Sequence, residues 1–530
     1  MSAPASDKNS ATDEKAPAAE RRPTTGPSIE ELLADLDNDS VIPRDALDPT
    51  YARKAAVLNR AIQDIGMGWY QWQLFIVVGF GWANDNMWPV VTGLILTPIV
   101  NEFHPAHGTF LSLSQNLGLL AGAIFWGFGC DVFGRRWAFN LTLGITALWG
   151  IVAAGSPNFA AIAIFAAFWS FGVGGNLPVD SAIFLEFLPA SHQYLLTVLS
   201  IDWAVAQVIA NLVAWGLLTN FTCQQDAETC TKSENIGWRY FMITIGGLTL
   251  ITFAIRFFCF TIFESPKYLM GKGQDEEAVR TVHEVARRNG KESWLTLEHL
   301  KAVELEGYEQ QATASDAIKR KLEAVNLNHI KALFKTKKLG YSTGALMLVW
   351  AFIGLAFPLY NAYLPYLQAI RGAEFGDGST YITYRNNLII AVTGVPGAAL
   401  GAVLAEIPKI GRKGALCAST VLTGVFLFGS TTATNSSALL GFNTAYSFTS
   451  NIMYAVLYAF TPEVFPTKDR GTGNALTATS NRIFGVFSPI IATYADLTTA
   501  VPVYVSGALF IIAGLIVLTL PFESRGKASL

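Results

Sequence analysis

Three ionisable side chains, Asp85, Asp202 and Arg482, lie inside stretches that are otherwise almost free of charge. A charge in the middle of a bilayer costs several kcal/mol unless it faces a cavity or a partner, so each is a candidate for binding or proton exchange. Asp85 is eleven residues past Leu74, about 16 Å into a hydrocarbon core about 30 Å thick. Asp202 is seven residues past Leu195 and Arg482 twelve past Arg470, so all three are expected to face one central cavity. Arginine stays protonated and its planar fork matches a carboxylate, which makes Arg482 the candidate anion binder. A carboxylate whose pKa is lifted by desolvation exchanges protons near neutrality, the role open to Asp85 or Asp202. The competing reading is a static salt bridge joining helices. Trp82, Trp88, Gln115, Asn116, Trp169, Gln207, Tyr360, Asn361, Asn443 and Asn451 are candidates to complete the pocket, although interhelical packing uses the same residue types. Arg256 is expected to snorkel to the membrane edge, while Asp180 is open between pocket and gate.

The elements that must hold these residues follow from composition. Of 530 residues, 51% are apolar and 15% charged, against roughly 25% charged in a soluble domain. The apolar residues fall in runs long enough to cross a bilayer. Twelve spans are expected, from 72–100 to 500–521 with the seventh over 340–367, and the fold class is all-α membrane protein. Residues 1–68 read as a tail, disordered to about 49 and then an amphipathic helix lying on the membrane surface over 50–68. A six-helix bundle over 69–264, a polar central loop over 265–339, a second bundle over 340–522 and a short tail over 523–530 complete the chain. A net charge of −3 supplies no basic excess for nucleic acid. No zinc spacing, nucleophile elbow or phosphate-binding loop occurs, so neither enzyme activity, a metal site nor a cofactor is expected. The expected partners are a small-molecule substrate, protons and membrane lipid.

Lysine and arginine cluster in the loops of one side, which places both termini in the cytoplasm. The sequons at Asn220 and Asn435 then fall outside, as does the one plausible disulfide, Cys223 with Cys230. A repeat underlies the chain: Gly134 and Gly411, Glu186 and Glu463, and Pro189 and Pro466 are each 277 positions apart. Two parallel six-helix halves with a binding site between them at mid-membrane are the architecture of rocking-bundle carriers.

Gly127-x-x-x-Asp131-x-x-Gly134-Arg135-Arg136 resembles the signature loop of the major facilitator superfamily. Arg239, Glu264-Ser265-Pro266-Lys267-Tyr268-Leu269 and Pro462-Glu463-Val464-Phe465-Pro466-Thr467 resemble its sugar-porter branch, and Ile65 to Asp85 is similar to synaptic-vesicle-type organic ion transporters and their aromatic-acid relatives. The chain departs from the pattern at Trp88 and Ala166, where relatives often carry an acid and an arginine. The resemblance implies a gate in which Asp131, Arg135, Arg136, Glu186, Arg412, Glu463 and Arg470 form ion pairs between the halves on the cytoplasmic side. It also implies a plasma-membrane secondary transporter working by alternating access, coupled to protons and moving an organic or aromatic carboxylate or a sugar. A transporter-shaped receptor that binds solute without moving it is the alternative from another class.

Overall fold

The computed structural model describes residues 26–38, 49–133, 135–192, 195–224, 230–304, 330–331, 333–407, 410–465, 470–495 and 499–521. These residues include twelve long helices: α1 (Trp69–Phe103), α2 (Phe110–Phe133), α3 (Arg135–Ala153), α4 (Phe159–Phe187), α5 (Ser200–Phe221), α6 (Gly237–Ala254, ending in a π turn over Ile255–Cys259), α7 (Lys337–Asn361), α8 (Thr380–Glu406), α9 (Gly411–Thr431), α10 (Ser436–Val464), α11 (Arg470–Tyr494) and α12 (Val501–Thr519). No strand occurs among the described residues. Seven of the twelve are apolar enough to cross a membrane by composition alone: α2, α4, α5, α6, α7, α9 and α12. Polar residues interrupt the other five, among them Asn84, Asp85 and Asn86 in α1 and Asn481 and Arg482 in α11.

Packing repeats between the halves. In the first, α2 packs on α4, α3 on α4 and α6, and α1 on α5; in the second, α8 packs on α10, α9 on α10 and α12, and α7 on α11. The halves meet through α2 with α11 and α5 with α8, two contacts that a pseudo-dyad interchanges. The repeat reaches side chains: Asn158 caps α4 by accepting from Ala161 N (2.9 Å), and Asn435, 277 positions on, caps α10 by accepting from Ala438 N (2.8 Å). Close approach is set by glycine, since a Cβ on Gly122 of α2 would fall 2.1 Å from Phe171 O of α4, and one on Gly397 of α8 2.5 Å from Phe448 O of α10.

Three expectations are corrected. The seventh span does not run to residue 367; α7 stops at Asn361, and a separate helix, Leu364–Glu374, follows with proline in its first turn. The N-terminal tail is not without structure to residue 49, because Ile29–Asn38 is helical and buries Leu32. The amphipathic helix Pro49–Ile65 turns its apolar face to protein rather than to lipid. Val57, Leu58, Ala61 and Ile65 pack with Met270, Ala278, Val282, Ala286, Leu295 and Leu300 of the central segment. That segment supplies an apolar surface of its own, which the sequence alone did not pair with the tail. Residues 305–329 of the central loop and the tail 523–530 lie outside the described residues.

At this junction Lys54 is 1% exposed and lies between Asp275 (2.5 Å) and Glu304 (2.6 Å). Burial pulls its ammonium pKa down, but the two carboxylates outweigh that and hold it above the usual range. Lys54→Met is therefore expected to raise amide hydrogen exchange in Pro49–Ile65 and Asp275–Arg288 about tenfold while α2 to α12 keep their protection. Unchanged exchange in both helices would show that the triad does not hold them. The module is tied to the membrane bundle through Asn289, whose Oδ1 accepts from Tyr70 N (3.0 Å) at the start of α1 and whose Nδ2 donates to Gln71 Oε1 (2.8 Å).

Candidate functional site

One end of the bundle carries the central segment and the N-terminal helices, here the tail end; the other carries the Cys223–Cys230 disulfide. Midway between them, Arg482 Nη2 of α11 donates to Asp85 Oδ1 of α1 at 3.2 Å, so the pair bridges the halves. Side-chain exposures of 24% and 12% leave both within reach of a small solute.

Asn86, the next residue, lines a pocket between the halves together with Trp203 and Gln207 of α5, Phe357 and Asn361 of α7, and a face of α10 from Tyr446 to Tyr454 that includes Asn451. Gln207 Nε2 donates to Asn86 Oδ1 at 3.0 Å. Toward the tail end a row of rings crosses the interface: Trp82 of α1 stacks on Trp203 (5.3 Å), Trp203 meets Tyr458 of α10 (4.7 Å), and Tyr458 meets Trp350 of α7 (4.9 Å). Toward the disulfide end the halves are joined by Tyr384 Oη to Leu94 O (3.1 Å), by Thr109 with Thr493 (2.5 Å), and by Thr380 N and Oγ1, which donate to Gln224 Oε1.

The structure brings some candidates together and separates others. Gln207, Asn361 and Asn451 line the pocket, and Trp82 backs it through Trp203. Asn116 of α2 has its Nδ2 bound to Ser112 O (2.9 Å) and faces Gly485 of α11, with Gln115 buried beside it. Trp88 and Trp169 do not line the pocket; they pack on each other at 5.5 Å inside the first half, Trp88 donating to Thr249 Oγ1 (3.3 Å). Tyr360 and Asn443 are likewise spent on one another, Tyr360 Oη to Asn443 Oδ1 at 2.5 Å within the second half. Asp202 is half-buried in the first turn of α5, its Oδ2 2.6 Å from where a Cβ on Gly79 of α1 would stand, and it makes no ion pair among the described residues.

Arg256 does not snorkel. It is fully buried, with Nη2 2.7 Å from Asp180 Oδ2 of α4, Nη1 2.7 Å from Phe139 O of α3 and Nη2 2.9 Å from Val77 O of α1. The guanidinium reaches fixed oxygens closer than water, and Phe139 lies under it at 3.6 Å. Gly81 makes the room, because a Cβ there would sit 1.7 Å from Asp180 Oδ2.

At the tail end, Arg135 pairs with Glu186, and Arg412 with Glu463. Each pair joins two helices of the same half, in positions the repeat interchanges, rather than crossing between halves as expected. The reason is local: each arginine opens α3 or α9 beside the end of α4 or α10. The Arg136 side chain is exposed, while its backbone N–H and that of Arg135 donate to the carboxylate of Glu264 (3.3 and 3.1 Å), which so caps α3. The side chains of Asp131 and Arg470 lie outside the described residues. Lys267, three residues after Glu264, is held by burial, and secondarily by Arg135, at about 8. Between that value and its ordinary 10.5 the unfolded chain binds more protons than the folded one, so this residue makes stability rise with pH across the window. Lys267→Met is expected to melt higher than the parent at pH 7, with the difference fading by about pH 10. A difference constant with pH would refute the assignment.

The predicted disulfide Cys223–Cys230 is present, with Cα atoms 5.9 Å apart. Asn220 is exposed in the last turn of α5, and Asn435 is exposed while serving as a helix cap.

Comparison with known proteins bears on the whole assembly. Residues 104–527 match the family model described as sugar (and other) transporter. A siderochrome iron transporter of Ceriporiopsis subvermispora is 56% identical over 92% of this chain and 93% of its own length. A niacin transporter of Acinetobacter baylyi is 25% identical over 82% of this chain and 89% of its length, and relatives also include synaptic vesicle 2-related proteins. Among solved structures, a partially occluded inward-open form of the Escherichia coli xylose transporter matches with a TM-score of 0.64 at 15% identity, covering 87% of this chain and 99% of that one.

Proposed function

The chain belongs to the sugar (and other) transporter family of the major facilitator superfamily, and from that premise we propose that it is a proton-coupled carrier of a small organic acid. It is a multi-pass membrane transporter rather than an enzyme. The tail end is assigned to the cytoplasm on the distribution of lysine and arginine, and the membrane to the plasma membrane on the resemblance to solute carriers of this superfamily.

The observation that carries the reading is the Asp85–Arg482 pair across the pseudo-dyad. Arg482 cannot give up its charge, so an incoming carboxylate must compete with Asp85 for it. A proton on Asp85 removes that competitor. Anion binding and protonation of Asp85 then favour each other, and solute and proton travel together with no net charge moved. When the solute leaves and the proton follows, Asp85 returns to Arg482 and the empty halves can reorient. The row Trp82–Trp203–Tyr458–Trp350 and the hydrogen bonds at the disulfide end are two closures that open in turn. Niacin, named for one relative, carries the required carboxylate; siderochrome iron, named for another, is a different cargo. The amides Asn86, Gln207, Asn361 and Asn451 and the family model favour a sugar as the second reading.

Uptake of labelled nicotinate into proteoliposomes tests this. The expected result is uptake driven by an inward proton gradient, without a change in membrane potential. Transport of xylose or an iron siderochrome in place of nicotinate would replace the substrate assignment, and saturable binding without flux would favour a receptor.

A further inference from the structure

We infer that Trp203 and Tyr446 are specificity-determining residues whose unspent donors select a ligand group with several oxygen acceptors and no hydrogen to give, a carboxylate. The inference rests on the proposed site and extends it to how the site chooses its ligand. Some polar groups around the pocket already have partners: Gln207 Nε2 donates to Asn86 Oδ1, Asn451 Nδ2 to Ser447 O (2.9 Å), and Ser450 Oγ to Ser447 O (3.0 Å). Two lining residues keep a buried atom without a partner, Trp203 Nε1 and Tyr446 Oη. They are 7% and 1% exposed.

An indole N–H can only donate, so Trp203 Nε1 is met only by an acceptor, and the Tyr446 O–H can donate to the same acceptor group. Neither ring is placed to swing toward another partner. Trp203 lies flat on Trp82 and edge-on to Tyr458, while Tyr446 is wedged between Tyr360 (5.0 Å) and Phe510 (6.3 Å). No other lining side-chain atom among the described residues is both buried and without a partner. An oxyanion can meet both buried groups, whereas an ammonium leaves the Trp203 Nε1 donor unmet. Because Trp203 belongs to α5 and Tyr446 to α10, a ligand that satisfies both ties the two halves together.

Thermal-shift titration of the purified full chain with benzoate, benzyl alcohol and benzylamine separates the possibilities, since the three share a ring and differ in what their polar group can give or accept. Benzoate is expected to stabilise the protein most and benzylamine least. Trp203→Phe and Tyr446→Phe keep a ring and lose the donor, and each should weaken benzoate binding about tenfold while narrowing the preference for benzoate over benzyl alcohol. A role confined to packing would lower the unliganded melting temperature and leave that preference untouched. The inference is overturned if benzylamine binds as well as benzoate, if benzoate has no effect, or if both variants keep the parent's affinity and preference. Binding is read without flux, so a protein that binds benzoate and carries nothing would sink the carrier while leaving the donor assignment intact.

Discussion

Replacing Arg482 with lysine will cut concentrative uptake at least about tenfold at unchanged expression, and replacing Asp85 with asparagine will leave exchange but abolish its response to pH. Lysine keeps the charge but loses the planar fork that a carboxylate meets with two hydrogen bonds, each charge-assisted and worth roughly 1.5–3 kcal/mol. Asparagine at position 85 imitates the protonated acid and leaves Arg482 permanently available. Loaded carriers can then reorient, but the empty one has lost the internal counter-ion that replaces the substrate. The two variants should therefore fail differently, lysine in binding and asparagine in net movement. Counterflow and proton-driven net uptake in proteoliposomes, each at two pH values, together read both. Normal pH-driven accumulation by either variant would remove the pair from the mechanism.

The second large effect concerns folding. Arg256→Met is expected to prevent recovery of folded protein, because Asp180 is fully buried in the core of the first half and would be left without its counter-ion. Breaking such a pair costs about 3–5 kcal/mol, a large share of the 5–15 kcal/mol that stabilises a typical protein. The double change Asp180→Leu with Arg256→Met should recover much of the loss, since two apolar side chains need no partner. Gly81→Val should behave like the single variant, because its side chain would enter the space of Asp180 and Arg256. Monodispersity in detergent checks all three. If Arg256→Met stays folded while losing transport, the pair belongs to coupling and not to the scaffold.

The twelve helices and their repeat were legible because bilayer length and a fixed offset of 277 positions leave one-dimensional marks. Asp85 and Arg482 were legible because a charge in an apolar run stands out on its own. Their direct contact was open between two readings, since it depends on how α1 and α11 are turned about their axes. Arg256 misled for the same reason: nothing along the chain says that carbonyls of Phe139 and Val77 and the carboxylate of Asp180 converge on it. Trp203, Tyr446 and Tyr458 were missed because an aromatic residue in an apolar span looks like packing, and only the pocket and the interface between halves distinguish them from Trp88 and Trp169. The repeat marked Arg135, Glu186, Arg412 and Glu463 as a set, but a sequence offset cannot tell pairing within each half from pairing between them.

The central claim is that two rigid halves rock about the Asp85–Arg482 contact, and interspin distances measured by pulsed electron paramagnetic resonance test it most directly. One label pair belongs at the exposed positions Phe110 and Tyr494 near the disulfide end, the other at Trp137 and Ile410 near the tail end. Proton and solute together are expected to shift both distributions in opposite senses, one pair separating as the other closes. Distances at both ends that stay unimodal and unchanged with pH and solute would contradict it.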